Sequence, residues 1–333
     1  MGYWITTILV MIGLGVYAWY MRHPTVATIL SGRMTLPERE VAALDALLAD
    51  ARIAPDRVRV VHADPDTPCW SHTYRKWWEA KLWVYRRFGR FGENCIGVDR
   101  GQVIGVSLVD TQLADMAPLA DLPALRHLQL RDARIDTLEG IPAECRWTEV
   151  NLAQNTLTDL APLTHCTALE HLNASFNRLT ALPDLKPLAR LERLDVHHNE
   201  LTDITGLAGH PALTWIDLSV NRLTRAEGLN GLPRLETVLL GSNALTTLQA
   251  LKNLPVLRSL HAYGNQLQTL DLPPDSPALQ NIEVSGNPIR EMPAGFTYNG
   301  GENRAPSLTP ISGKFTRIHI SGTPLAKALA KGE

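Results

Sequence analysis

Neither sign of charge is in excess in this chain. Its 32 Lys and Arg face 34 Asp and Glu, a formal net charge of −2. That excludes the basic surplus a nucleic-acid binder would show. Chemistry-bearing signatures are equally scarce. No Gly-x-Ser-x-Gly elbow, Walker loop, His-Glu-x-x-His or Cys-x-x-Cys occurs, which argues against an enzyme and calls for no cofactor. Low-complexity tracts are absent too, so most of the 333 residues should be ordered. Cysteine is sparse at four, and only one stretch is both long and uncharged.

What the chain does have is a period. Leu128, Val150, Leu172, Leu194, Ile216, Val238, Leu260 and Ile282 follow one another at intervals of 22 residues, without an insertion. Apolar residues recur three before each of these and two after. An asparagine recurs five after, from Asn155 through Asn177, Asn199, Asn221, Asn243 and Asn265 to Asn287. A fixed period is the signature of a solenoid. Each Leu-x-Leu run reads as a short half-buried strand. A lone turn cannot bury its own apolar side, so turns must stack into a parallel sheet. The Asn column then satisfies backbone groups left unpaired in a dry bend.

The unit Leu-x-x-Leu-x-Leu-x-x-Asn-x-Leu-x-x-Leu resembles the leucine-rich repeat family in its short class, as in internalins and a phosphatase regulatory subunit. The resemblance implies an α/β solenoid with a parallel sheet on the concave face and 3-10 or irregular segments on the convex side. The expected domains are a transmembrane anchor (1–23), an N-terminal cap subdomain (24–103), the repeats (104–292), and a loop insertion with a capping repeat (293–333).

Tyr3 to Met21 is the uncharged run. At 1.5 Å per residue a helix there would be about 28 Å long, close to the hydrocarbon thickness of a bilayer. Aromatics at both ends suit the interface, so a single-pass membrane helix is expected, with a cleaved signal or a buried helix of the domain as the alternatives. Arg22 and Arg33 follow the run and favour a cytoplasmic body. The cysteines favour the opposite. Cys145 and Cys166 are 21 residues apart, at nearly the same place on adjacent turns. Neighbouring strands lie about 4.8 Å apart, within disulfide reach. Cys69 and Cys95 offer a second pair, and four reduced thiols are the alternative. The reading is an extracytoplasmic body, periplasmic or at the cell surface.

Downstream, Thr35 with Glu38 suggests a capping box, opening a helix to about Ala51. Trp70 to Phe91 holds eight aromatics. As a helix it would place Trp77 and Trp78 on an aromatic face and Arg86 and Arg87 on a basic one. Such a helix lies on a membrane surface, caps the open end of the solenoid, or does both. Two apolar runs flank Asp99-Arg100-Gly101, a hairpin signal. Gly97-Val98 and Gly101-Gln102-Val103 resemble the amino-terminal cap of leucine-rich repeat proteins, which implies a helical cap here. This chain departs from that cap in its spacing, with Cys69 and Cys95 26 residues apart. At the far end, 293–314 interrupts the period as a solvated excursion or a binding lip, and Thr323 takes the Asn position of a last unit.

Strand residues facing away from the core occupy the positions flanking each reference residue. Among them, Trp215, Leu239 and Tyr263 step diagonally across three adjacent strands, as apolar anchors in a polar rim. Asp195, Asp217, His197, His261 and Glu283 form the polar surround. Asp195 and Asp217 should stand side by side near His171 and His197. A divalent ion would offset their repulsion, but Arg193 and the imidazoles can serve too, so a polar ladder without metal is the expectation. The functional expectation is a membrane-anchored, non-catalytic scaffold that binds a protein or peptide on its concave face. The alternatives are an envelope spacer docked on lipid through its basic aromatic helix, and a cytoplasmic regulatory subunit of an enzyme.

Overall fold

The computed structural model describes residue 25 and residues 36–62, 94–271, 276–291, 296–301, 304–310 and 317–331. The run 3–21, Cys69, Trp77, Trp78, Arg86 and Arg87 lie outside these residues. Among the described residues, no helix is long and apolar enough to cross a membrane. Two compact units are present: Met1–Ile135 with Glu139–Glu149, and Asp136–Leu138 with Val150–Glu333.

The first unit is built on a helix and a hairpin. Helix α1 (Glu38–Asp50) buries Ala43, Leu44, Leu47 and Leu48, one side at the spacing of a helix turn. Pro37 holds its N-cap position without a side-chain cap bond, and Val41 is only half-buried. Strand β1 (Arg59–His62) pairs in parallel with β2 (Cys95–Asp99), which pairs antiparallel with β3 (Gln102–Ser107). Arg100 and Gly101 between β2 and β3 both take positive φ, 47° and 73°, the requirement of a type I′ turn. Strand β4 (His127–Gln129) continues in parallel from β3. Two carboxylates of α1 fasten these pieces. Glu40 Oε2 accepts the Val103 N–H at 2.8 Å, and Asp50 Oδ2 accepts those of Ala114 and Asp115 at 2.6 and 2.9 Å.

The second unit is a parallel β-solenoid. After β5 (Glu149–Asn151) come β6 (His171–Asn173), β7 (Arg193–Asp195), β8 (Trp215–Asp217), β9 (Thr237–Leu239), β10 (Ser259–His261) and β11 (Asn281–Glu283). From β6 onward each pairs in parallel with the next, and partners differ by 22 in sequence. In every one the central residue is buried and its neighbours are half-buried or exposed. The return arcs carry short 3-10 turns at Ala161–His165, Thr205–Leu207 and Glu227–Leu229. Such a tight turn draws backbones together, and a Cβ on Gly228 would fall 2.0 Å from the Ile204 carbonyl oxygen.

The Asn column stitches turn to turn. Asn221 Nδ2 donates to Leu218 O (3.0 Å) in its own turn and to Val196 O (3.1 Å) in the preceding one. Its Oδ1 accepts the Leu201 N–H at 3.0 Å. Asn177, Asn199, Asn243, Asn265 and Asn287 repeat this set. The residue before each Asn sits in the left-handed region, including Phe176, His198 and Val220 at φ 52–55°. Non-glycine side chains pay for that conformation, β-branched valine most of all.

The insertion after 292 is described at 296–301 and 304–310. It folds into β12 (Phe296–Gly301) and β13 (Arg304–Pro310), an antiparallel hairpin. Strand β14 (Arg317–His319) pairs in parallel with β11 and antiparallel with β13, so the hairpin prolongs the sheet past the last repeat strand. The last unit also departs from a repeat. After the buried Thr323 the chain enters helix α2 (Pro324–Lys331), and Thr323 Oγ1 accepts the Ala326 N–H at 3.0 Å, a helix cap.

Candidate functional site

The side chains available for recognition flank the buried centre of each strand. The register sets Trp215 beside Arg193 and Thr237, Leu239 beside Asp217 and His261, and His261 beside Glu283. Trp215, Leu239 and Tyr263 therefore do occupy adjacent turns on one face. Their exposure differs from expectation, however: Tyr263 is 39% exposed, while Trp215 and Leu239 are half-buried. The Arg193 guanidinium carbon lies 4.5 Å from the centre of the Trp215 ring, a cation–π contact that covers part of it. Tyr263 in turn lies over Gly241, where any Cβ would strike the ring.

Asp195, His197 and Asp217 converge. His197 Nδ1 and Asp195 Oδ1 are 2.6 Å apart. One ligand atom from each of the three lies within 4.8 Å of the others. His197 holds its proton to higher pH than a free imidazole, first through the Asp195 hydrogen bond and then through both carboxylates, with burial opposing. His171 is not among these three; burial and then the Arg193 charge push it the other way. The carboxylates also serve the backbone. Asp195 Oδ1 accepts the His197 N–H at 3.2 Å and Asp217 Oδ1 that of Ser219 at 2.8 Å.

Two features went unseen in the sequence. Phe176, 42% exposed, stacks on His198 with centroids 4.3 Å apart and meets the His197 ring edge-on at 4.8 Å. Its position just before Asn177 is the available signal, because that column otherwise holds small or polar residues apart from Val220. Ser259 Oγ lies 3.1 Å from His261 Nε2, a pair invisible until the strand sets both side chains on one face. Cys145 and Cys166 are both disulfide-bonded. Cys95 is buried on β2, and its suggested partner Cys69 lies outside the described residues.

Residues 167–209 match a family model described as leucine-rich repeats in two copies. That segment consists of leucine-rich repeats. Among solved structures it is similar to an internalin from Listeria monocytogenes, at 25% identity and TM-score 0.52, covering 60% of each chain. It thus spans less than two thirds of that internalin's length. A second Listeria monocytogenes internalin, internalin C2, is 22% identical with TM-score 0.45, over 53% of this chain and 81% of that one. A leucine-rich repeat protein of Leptospira interrogans is 25% identical with TM-score 0.47, over 57% and 56%. No curated protein matches the sequence of this chain.

Proposed function

We propose that this chain is a non-catalytic scaffold that binds a protein or peptide on the solvent face of its strands, the concave face of the solenoid. The observation that carries the reading is the ladder of half-exposed residues flanking each buried strand centre. The fold needs only the central residue of each strand to be apolar, yet Trp215, Leu239 and Tyr263 stand outside it. Aromatic anchors ringed by polar groups are what binding hot spots are made of. Trp215, Leu239 and Tyr263 are the anchors; Asp195, Asp217, His197, His261 and Glu283 are the surround. An open sheet offers little to exclude water from a reaction, and the missing enzyme signatures agree with a binding role.

We place this body outside the cytoplasm, held to the membrane through residues 3–21. The disulfide state of Cys145 and Cys166 supports an oxidising compartment, and the uncharged run is long enough to span. Pull-down from the native compartment compares the wild type with the Trp215→Ala/Tyr263→Ala double variant. Partners held by the wild type and lost by a folded double variant support the reading. Equal capture by both removes it.

A further inference from the structure

We propose that Asp195, His197 and Asp217 form a binding site for a divalent ion of the zinc class. These three residues belong to the polar surround of the proposed binding face, but ion binding by them does not require a partner. Asp195 and Asp217 are directly opposed on paired strands β7 and β8, and His197 follows Asp195 by two residues on the same face. Each contributes a ligand atom, all within 4.8 Å of one another. A tetrahedral ion with bonds near 2.1 Å separates its donors by about 3.4 Å, within reach of small side-chain rotations.

The fold does not ask for these charges. In the two preceding turns the same position is held by Asn151 and Asn173, whose Oδ1 atoms accept the N–H groups of Ala153 and Ser175, both at 3.0 Å. Asp195 and Asp217 make the same backbone bond. An amide oxygen meets that need, so the negative charge at these two turns is surplus to the turn and repulsive across the strands. His197 stands beside Asp195, with Nδ1 2.6 Å from its Oδ1, which turns two carboxylates into a mixed nitrogen and oxygen donor set.

That set selects among ions. One imidazole and two carboxylates suit zinc and similar first-row divalent ions, whereas calcium takes six to eight oxygens. Positioning is already supplied. The two backbone N–H groups orient the carboxylates, and Phe176 packs edge-on against the His197 ring at 4.8 Å. An arriving ion would replace the present Asp195–His197 hydrogen bond.

The test is calorimetric titration of the chelator-treated full chain with zinc sulfate, for the wild type, His197→Ala, Asp217→Asn and the control His165→Ala. Asp217→Asn retains the oxygen that Ser219 N–H needs, so it should fold, which circular dichroism melting checks. The expected result is one equivalent bound by the wild type and control, with affinity reduced at least about tenfold in both site variants. Absence of binding to the wild type, or equal affinity across all four proteins, overturns the proposal.

Discussion

The Tyr263 ring rests on Gly241: a Cβ built at position 241 would lie 2.2 Å from Tyr263 Cζ. The glycine, one turn earlier, is the seat of the most exposed of the three proposed anchors. Gly241→Ala should therefore lift Tyr263 off the sheet. Because the ring can swing into solvent, stability should fall by less than about 1 kcal/mol, while partner capture weakens. Gly228→Ala makes the contrast. There the new Cβ meets the Ile204 carbonyl at 2.0 Å, backbone must move, and about 2 kcal/mol or more should be lost. Urea unfolding of both variants checks the pair.

The Asn ladder carries a second prediction. Asn221→Ala strips a buried acceptor from Leu201 N–H and a donor from two carbonyls in different turns. Leaving such groups unpaired should cost about 2–4 kcal/mol. Arg222→Ala, next in the chain, breaks only a surface ion pair with Glu200 and should cost less than about 0.5 kcal/mol. Equal unfolding midpoints for the two variants would contradict the structural role of the column.

His210 predicts a pH dependence. It is fully buried, its Nε2–H donates to Leu188 O at 3.0 Å, and burial holds its pKa below 6.5. The unfolded chain thus takes up a proton near pH 6.5 that the folded chain refuses. Stability should be fully present above that pH and decline as pH falls through it. His210→Gln should flatten that part of a melting-temperature profile.

Glu40 has the opposite sign. Burial raises its pKa, against the Val103 hydrogen bond and Arg39. The folded chain keeps its proton to higher pH than the unfolded chain, so this group costs stability as pH rises through 4.5. Glu40→Gln keeps an acceptor for Val103 and should melt higher than wild type, by a margin that grows from pH 4 to pH 7. Glu40→Ala leaves the Val103 N–H buried and unpaired and should lose about 1–3 kcal/mol.

These residues also show how far the sequence reaches. Strand register, the Asn ladder and the hairpin at Arg100-Gly101 follow from spacing alone, because each is fixed by local geometry repeated at constant period. The hairpin of β12 and β13 was not legible, since Pro and Gly there read as loop and nothing local announces pairing with β14. Helix α2 was missed because Thr323 sits where an Asn would, yet caps a helix. The columns set Asp195, His197 and Asp217 on neighbouring turns, and the structure brings one ligand atom from each within 4.8 Å of the others. The Arg193–Trp215 stack and the Tyr263–Gly241 contact depend on rotamers, and a period carries no rotamer information.

In the proposed function the flanking strand positions are spare for folding and serve contact with a partner. Hydroxyl-radical footprinting of the captured complex against the free chain tests it most directly. Slower oxidation of Trp215 and Tyr263 in the complex, with unchanged rates on the 3-10 arcs, is the predicted result. Protection of Ala161–His165 and Glu227–Leu229, with Trp215 and Tyr263 as reactive as before, would contradict it.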